Sequence, residues 1–132
     1  MSSKLKPFTL ISGPCVVESP ELLHQVCETL SPIAHECEFD FVFKSSYRKA
    51  NRTSIKGFTG IGDIEALEHI RSIANAHNVQ TLTDIHESHE AKIAAEYVDI
   101  LQIPAFLCRQ TELLQAAGAT GKIVNIKKGQ LS

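Results

Sequence analysis

The sequence lacks long apolar runs, strong net charge and any nucleotide-binding loop motif. Hydrophobic residues make up 43% of the 132 positions but occur in short blocks, and none approaches the ~20 consecutive apolar residues that span a bilayer. A net charge of −2 is atypical of a nucleic-acid binder, which is normally basic. Neither a P-loop nor a GxGxxG motif occurs. We therefore expect no membrane span and no nucleic-acid partner.

The cysteines and the N-terminus indicate a reducing compartment. Cys15, Cys27, Cys37 and Cys108 show no CxxC spacing. The first apolar stretch has about five residues, fewer than the roughly 7 to 15 of a signal peptide. These features predict reduced thiols and a cytoplasmic protein. We expect Cys27, Cys37 and Cys108 to be packing residues.

Apolar segments and helix signals alternate along the chain. Ser19-Pro20 predicts a helix start with Ser19 as N-cap. The apolar residues of this predicted helix occur at helical spacing and would form one buried stripe. They are Leu22, Val26, Leu30 and Ile33. Five strands are predicted at 8–12, 39–43, 79–82, 98–103 and 123–126. The alternation predicts one domain, residues 1–132, with a parallel sheet covered by helices.

Polar residues mark the other helix starts. Asp63 and Ser88 are expected to cap the second and third helices, the latter reaching about Tyr97, and Thr111 opens a fourth. The polar segment 45–62 exceeds the 2 to 6 residues typical of a connection from strand to helix. Since long loops in compact domains are commonly functional, this segment is a candidate binding loop.

Polar residues also follow every predicted strand, at the end where parallel α/β folds bind ligands. Any such loop is polar, but five in succession favour a shared site. The polar residues that follow the strands are Cys15, Glu18, Lys44, Ser46, Asp84, His86, Gln102 and Lys127. For His86, a structural and a functional role both stay open.

Positive charge is concentrated in a few places. Eight of the thirteen Lys and Arg residues lie within 44–56, at Arg109, and at 127–128. The segment 44–53 combines Lys point charges, Arg forks and neutral donors, which together suit a phosphate or carboxylate. Solvated loops are the plainer interpretation. As a pattern, the cluster indicates an anionic ligand and nothing narrower.

Five motifs, in order and spacing, resemble the 3-deoxy-D-manno-octulosonate 8-phosphate synthase family over nearly the whole chain. They are GPCVVES at 13–19, FKSSYRKANRTS at 43–54, TDIHE at 83–87, LQIPAFLCRQTELL at 101–114 and VNIKKGQ at 124–130. The resemblance implies a (β/α)₈ barrel, which takes about 250 residues. We therefore expect the N-terminal part of an incomplete barrel, with about five strands, two open edges and impaired activity by itself.

The resemblance also implies a reaction and roles for particular residues. The reaction condenses phosphoenolpyruvate with D-arabinose 5-phosphate and water, in a homotetramer in which Arg109 reaches a phosphate across a subunit interface. The implied catalytic residues are Lys44, Lys49 and Asp84. The implied substrate-binding residues are Ser46, Asn51, Arg52, Thr53, Gln102, Pro104, Ala105, Phe106, Arg109 and Lys127.

The resemblance implies one cofactor, a divalent metal ion, and Cys15 is its predicted ligand in this chain. The family's metal-independent members have Asn at this position and its metal-dependent members have Cys, so Gly13-Pro14-Cys15 resembles the metal-dependent type. Zinc or ferrous iron would suit a thiolate joined by His and carboxylate ligands. In the family those partners lie on strands after the fifth. On its own, Cys15 would more commonly be an inert small hydrophobe.

Three alternatives stay open. The sister 3-deoxy-D-arabino-heptulosonate 7-phosphate synthases typically carry KPRTSP where this chain has KANRTS at 49–54. A non-catalytic, phosphosugar-binding half-barrel is a different class of function. A flavodoxin-like, doubly wound domain fits five strands but matches none of the motifs. The pathway implied by the resemblance is lipopolysaccharide core synthesis, or a cell-wall sugar in a plant.

Overall fold

The computed structural model describes residues 8–47 and 61–129. The strands are β1 (Thr9–Ser12), β2 (Asp40–Lys44), β3 (Gln80–Asp84), β4 (Ile100–Ile103) and β5 (Ile123–Ile126). The helices are α1 (Pro20–Glu36), α2 (Ile61–His77), α3 (Ser88–Ala94) and α4 (Thr111–Ala119), and a 3₁₀ turn over Ala105–Leu107 follows β4. In the described residues no helix is both long enough and apolar enough to cross a membrane.

The five strands form one parallel sheet in the order β1-β2-β3-β4-β5. Sequential order is the arrangement of an α/β barrel, whereas a flavodoxin-like sheet places its first strand between the second and third. The flavodoxin-like alternative is therefore wrong. The predicted incomplete barrel, with five parallel strands and intervening helices, is confirmed.

The two faces of the sheet are distinguished by what packs on them. Two buried clusters combine strand residues with helix residues, for example Phe43 with Leu23 and Ile73. A third cluster, Val42, Leu82 and Ile100, contains strand residues alone. We call the face that carries this third cluster the inner face. It corresponds to the interior of a barrel.

Helix α1 begins as predicted but buries a different stripe. Ser19 caps it, its side chain accepting a hydrogen bond from the Leu22 amide at 3.2 Å. The buried residues are Leu23, Cys27 and Ala34, whereas Ile33 is 48% exposed. Two adjacent apolar rows run along this helix. The second row is the buried one, because Leu23 and Cys27 pack with Phe43. The predicted stripe is therefore wrong by one residue.

Two predicted helix caps are also wrong. Helix α2 begins at Ile61, so Asp63 lies buried inside its first turn instead of capping it. The N-cap of α3 is Glu87, and the helix ends at Ala94, short of Tyr97. The Glu90 carboxylate folds back to accept from the Glu87 amide at 3.4 Å, which moves the helix start one residue earlier. Most of segment 45–62 lies outside the described residues.

All four cysteines are free, as expected of reduced thiols. Cys27 is buried, and burial followed by the nearby Glu28 charge raises the pKa of its thiol to about 11. Cys108 packs beside Gly129, where an added Cβ would lie 3.0 Å from its sulfur. Cys37 is exposed, so the prediction that it is a packing residue is wrong.

Gly13 lets the end of β1 approach β2 closely. A Cβ built on Gly13 would lie 1.9 Å from the Lys44 carbonyl oxygen, a clash with backbone that no rotamer change relieves. The chain then runs through Cys15 to Val16, which bridges Ser46. Gly13 therefore sets the distance between the ends of β1 and β2.

We predict that Gly13→Ala lowers the free energy of unfolding by about 1–3 kcal/mol, because the clash forces the two strand ends apart. Urea denaturation measures this change. Gly118→Ala is the matched control: no atom lies within 4 Å of its added Cβ, and Ala in a helix is favoured over Gly by about 0.5–1 kcal/mol. Equal stability of the Gly13 variant and the unmodified chain would contradict the prediction.

Candidate active site

The inner face changes from apolar to polar toward the carboxyl ends of the strands. Alternate residues of a strand share a face, so Lys44, Asp84 and Gln102 follow the buried cluster of Val42, Leu82 and Ile100 at the next inner position. Asp84 is in register with Gln102, and Gln102 with Asn125. We call Lys44, Asp84, Gln102 and Asn125 the polar layer. The register thus brings the predicted Lys44, Asp84 and Gln102 to one face.

Lys127 extends the same pattern past β5. Its amide donates to the Ile103 carbonyl at 3.1 Å, which continues the ladder by one residue, and it lies two positions after Asn125. Strand alternation places it on the inner face, where it is exposed. Two of the predicted phosphate-binding cations, Lys44 and Lys127, are therefore on one face.

Ser46 is bound to Asp84 in this structure. The ladder runs beyond β2, since the Ser45 amide donates to the Leu82 carbonyl at 3.2 Å. The Ser46 hydroxyl then donates a short hydrogen bond to Asp84 Oδ1. Its amide donates to the Cys15 carbonyl at 3.3 Å. With its proton engaged, the Ser46 hydroxyl offers a ligand only lone pairs.

The Asp84 carboxylate is held in its charged form. Burial raises its pKa, but the interaction with His86 and the hydrogen bond from Ser46 outweigh burial and bring the pKa below its ordinary value. His86 Nε2 lies 3.4 Å from Asp84 Oδ2. The polar layer therefore presents a fixed negative charge on the strand that follows the one carrying Lys44.

Gln102 is oriented by Asn125, a residue that the sequence reasoning missed. The Asn125 side-chain amide donates to Gln102 Oε1 at 2.9 Å, and Gln102 is 5% exposed. Because the Gln102 oxygen accepts this hydrogen bond, the N–H donors of Gln102 point away from Asn125. The sequence did contain a signal for Asn125. It lies in a predicted strand two residues before Lys127 and so shares the face of Lys127.

A second missed group lies behind Asp84. The Tyr47 hydroxyl donates to Glu90 Oε1 at 2.6 Å, and the same oxygen accepts from the His86 amide at 2.9 Å. Glu90 is fully buried. Its spacing of four residues from His86 at a helix start was the available sequence signal.

The other predicted residues are described in part. Pro104 is buried at the start of the 3₁₀ turn, Phe106 is 69% exposed, and Arg109 is exposed just after the turn. Ala105 is the first residue of that turn. The remaining predicted site residues lie outside the described residues: Lys49, Asn51, Arg52 and Thr53. Their roles stay predictions.

The described residues supply one metal donor at Cys15 and do not form a metal centre there. Cys15 is exposed after β1. Within 8–47 and 61–129, the group of three potential ligands is Glu87, His89 and Glu90, with ligand atoms within 4.8 Å of one another. Cys15 is not among them, and Glu90 already accepts from Tyr47. A zinc site takes about four donors.

Fold and site together define an incomplete α/β barrel with a layer of polar side chains at the carboxyl ends of its strands. The chain belongs to the DAHP synthetase I family, whose model matches residues 3–131.

Curated relatives are similar to this chain throughout its length. The 2-dehydro-3-deoxyphosphooctonate aldolase of Cyanothece sp. is 50% identical over 125 residues, 95% of this chain and 46% of the relative. The proteins of that name from Helicobacter pylori and Campylobacter jejuni are each 51% identical, over 129 and 126 residues, which are 98% and 96% of this chain. They are covered over 47% and 46% of their own lengths. The chain spans about half the length of these relatives.

We predict that Asp84 makes stability depend on acid pH. Because its pKa is lowered in the folded chain, its ionised form contributes stability that is complete above its unfolded pKa, about 3.9. That contribution is lost as pH falls through the lowered folded pKa. Urea unfolding of the unmodified chain and Asp84→Asn should therefore differ most at neutral pH and converge in acid.

Glu36→Gln, which removes an exposed carboxylate at the end of α1, is the charge-matched control and should show no comparable convergence. A difference for Asp84→Asn that stays constant from neutral pH down to acid would contradict the assignment.

Proposed function

We propose that this chain forms part of a synthase that condenses phosphoenolpyruvate with D-arabinose 5-phosphate and water. The products are 3-deoxy-D-manno-octulosonate 8-phosphate and phosphate. The relatives' name, 2-dehydro-3-deoxyphosphooctonate aldolase, denotes an enzyme for this same octulosonate phosphate. The observation that carries the proposal is the placement of Lys44 and Lys127 on one face with the polar layer.

The polar layer suits a reaction between two anions. The enol carbon of phosphoenolpyruvate bonds to the aldehyde carbon of the sugar, water adds to the neighbouring enol carbon, and the C–O bond to phosphate breaks. Fixed cations orient two mutually repelling substrates and stabilise the charge that shifts between them. Lys44, Lys127 and the Gln102 N–H donors are the candidates for phosphoenolpyruvate, because each offers positive charge or a donor.

Asp84 is the candidate for the sugar. An ionised carboxylate accepts hydrogen bonds from hydroxyl groups and repels phosphate, so it suits the hydroxyl-bearing part of arabinose 5-phosphate. Ser46 is bound to Asp84 and so lies beside this subsite; its contact with phosphoenolpyruvate is a prediction from resemblance. The neighbouring roles of Asn51, Arg52 and Thr53 with the sugar phosphate, of Lys49 with phosphoenolpyruvate, and of Pro104, Ala105, Phe106 and Arg109 at the pocket wall are predictions from resemblance.

Isothermal titration of the chain with each substrate, together with an assay of phosphate release, tests the proposal. We expect saturable binding of phosphoenolpyruvate and of arabinose 5-phosphate, and phosphate release that requires both but is much slower than is usual for enzymes. A chain that binds neither substrate would contradict the proposal. Binding of both without any release would favour the non-catalytic, phosphosugar-binding alternative. The cytoplasmic location and the homo-oligomer implied by the resemblance stay predictions.

The sister heptulosonate synthase is a second candidate, since the family's description names a DAHP synthetase. Its product has one carbon fewer, so its aldose phosphate would have four carbons where arabinose 5-phosphate has five. The three relatives named above favour the octulosonate product. Tighter binding of a four-carbon than of a five-carbon aldose phosphate would reverse this preference.

We predict that Lys127→Ala weakens phosphoenolpyruvate binding by roughly tenfold, the scale of one charge-assisted hydrogen bond. Lys122→Ala is the matched control. Lys122 is also exposed but precedes β5, whereas Lys127 follows it, so the two lysines mark opposite ends of one strand. Titration calorimetry measures both variants. Equal affinity losses in the two would show that the carboxyl ends do not form the anion site.

We propose that Cys15 contributes one thiolate ligand to a divalent metal, zinc or ferrous iron, at a site that is incomplete in this chain. Such an ion would supply Lewis-acid chemistry at the edge of the site, and Cys15 would only hold it. Cys15→Ala should lower the metal content of protein purified in the presence of zinc, measured by plasma mass spectrometry. Cys37→Ala, which removes another exposed thiol, should not. An unchanged zinc content in the Cys15 variant would exclude this role.

A further inference from the structure

A line of polar side chains runs behind the polar layer, from Asp84 through His86 and Glu90 to Tyr47. His86 Nε2 lies 3.4 Å from Asp84 Oδ2, and His86 Nδ1 lies 3.9 Å from Glu90 Oε1. Glu90 Oε1 accepts from the Tyr47 hydroxyl at 2.6 Å. The line therefore joins the ends of β2 and β3 to the first turn of α3.

The His86 ring sits between two carboxylates and away from water. Its side chain is 11% exposed, and both ring nitrogens are buried without a hydrogen-bond partner among the described residues. A buried polar atom left unpaired is costly. The nearest groups able to relieve that cost are the carboxylates of Asp84 and Glu90, which lie 3.4 and 3.9 Å from its two nitrogens.

Glu90 cannot move away from this ring. It is fully buried, and one carboxylate oxygen accepts from the Tyr47 hydroxyl and from the His86 amide at 2.9 Å. Tyr47 follows β2, whereas the His86 amide follows β3. Because two separate parts of the chain fix Glu90, its position beside His86 is set by the fold and not by a flexible loop.

We propose that His86 is a positioning residue that fixes the Asp84 carboxylate on the inner face and couples it through Glu90 to the Tyr47 hydroxyl. The inference deepens the proposed function and rests on it in one respect, that Asp84 meets the sugar. Ser46 engages one Asp84 oxygen and His86 faces the other. The carboxylate is thereby held at a single angle, with its remaining lone pairs available to hydroxyl groups.

The charges around Asp84 allow its coupling to His86 to be separated from other effects. From β2 come the Ser46 hydroxyl and Lys44, which is in register with Leu82, two residues before Asp84. From β4 comes the neutral Gln102, in register with Asp84. From the loop and α3 come His86 and, beyond it, Glu90. Replacing His86 by a neutral side chain removes one neighbour and leaves the others in place.

Carbon-13 NMR of the chain without ligand tests the coupling. The carboxyl resonance of Asp84 is followed through an acid titration in the unmodified chain, in His86→Gln and in His89→Gln. His89 is the control, because it is exposed and faces Glu87. We expect the Asp84 midpoint to rise by at least about half a pH unit in His86→Gln and to stay constant in His89→Gln. An unchanged midpoint in folded His86→Gln overturns the proposal.

A second measurement needs no variant and so does not depend on folding of His86→Gln. In the unmodified chain, protonation of Asp84 should change the ring nitrogen-15 shifts of His86 at the midpoint of the Asp84 carboxyl carbon, because His86 Nε2 lies 3.4 Å from Asp84 Oδ2. Those of His89 should not shift at that midpoint. The absence of any change in the His86 ring resonances at the Asp84 midpoint would overturn the proposal without any substitution.

Failure of this inference is distinguishable from failure of the proposed function. Both titrations are made without substrate, so they report on the coupling alone. Arabinose 5-phosphate is then titrated into the unmodified chain and into His86→Gln. We expect roughly tenfold weaker binding in the variant, the loss from one misplaced hydrogen-bonding carboxylate. Coupling in NMR without any sugar binding overturns the assignment of Asp84 to the sugar and leaves the coupling standing.

Discussion

The parallel register of β2 to β5 is the constraint on which the rest of this structure depends. It aligns Asp84 with Gln102 and Gln102 with Asn125, so side chains separated by about 20 residues of sequence become neighbours. A slip of one residue in any strand would turn its contribution toward the helices. The apolar cluster of Val42, Leu82 and Ile100 beneath the layer holds that register, because a slip would also expose it.

Within the layer, Gln102 and Asp84 are each fixed by neighbouring side chains. Asn125 engages the Gln102 oxygen and leaves its N–H donors available. Ser46 and His86 engage Asp84 from two sides and lower its pKa against the effect of burial. Lys44 and Lys127 supply positive charge at separate strand ends. The site thus combines cations for phosphate and carboxylate groups with one fixed anion for hydroxyl groups.

Sequence reasoning predicted the strands and the start of α1, which depend on local chemistry. It missed features that depend on contacts between residues distant in sequence. Strand β5 has the predicted bounds, and Ser19 caps α1, because apolar runs and an N-cap followed by Pro are local signals. The buried row of α1 depends on contact with Phe43, and two neighbouring rows are equally apolar. The hydrogen bond between Tyr47 and Glu90 joins residues more than 40 positions apart in sequence, so no local pattern predicts it. Resemblance to a family named the polar-layer residues Lys44, Asp84 and Gln102 and also Ser46, which binds Asp84, but it did not name Asn125 or Glu90.

The most direct test of the account is a nitrogen-15 NMR titration of the chain with phosphoenolpyruvate, read residue by residue. The account predicts saturable shifts concentrated at the carboxyl ends of the strands, at Lys44, Gln102, Asn125 and Lys127. Residues on the helical face, such as Leu23 and Ile73, should not respond. Shifts confined to the helical face or to the opposite strand ends near Lys122 would contradict it.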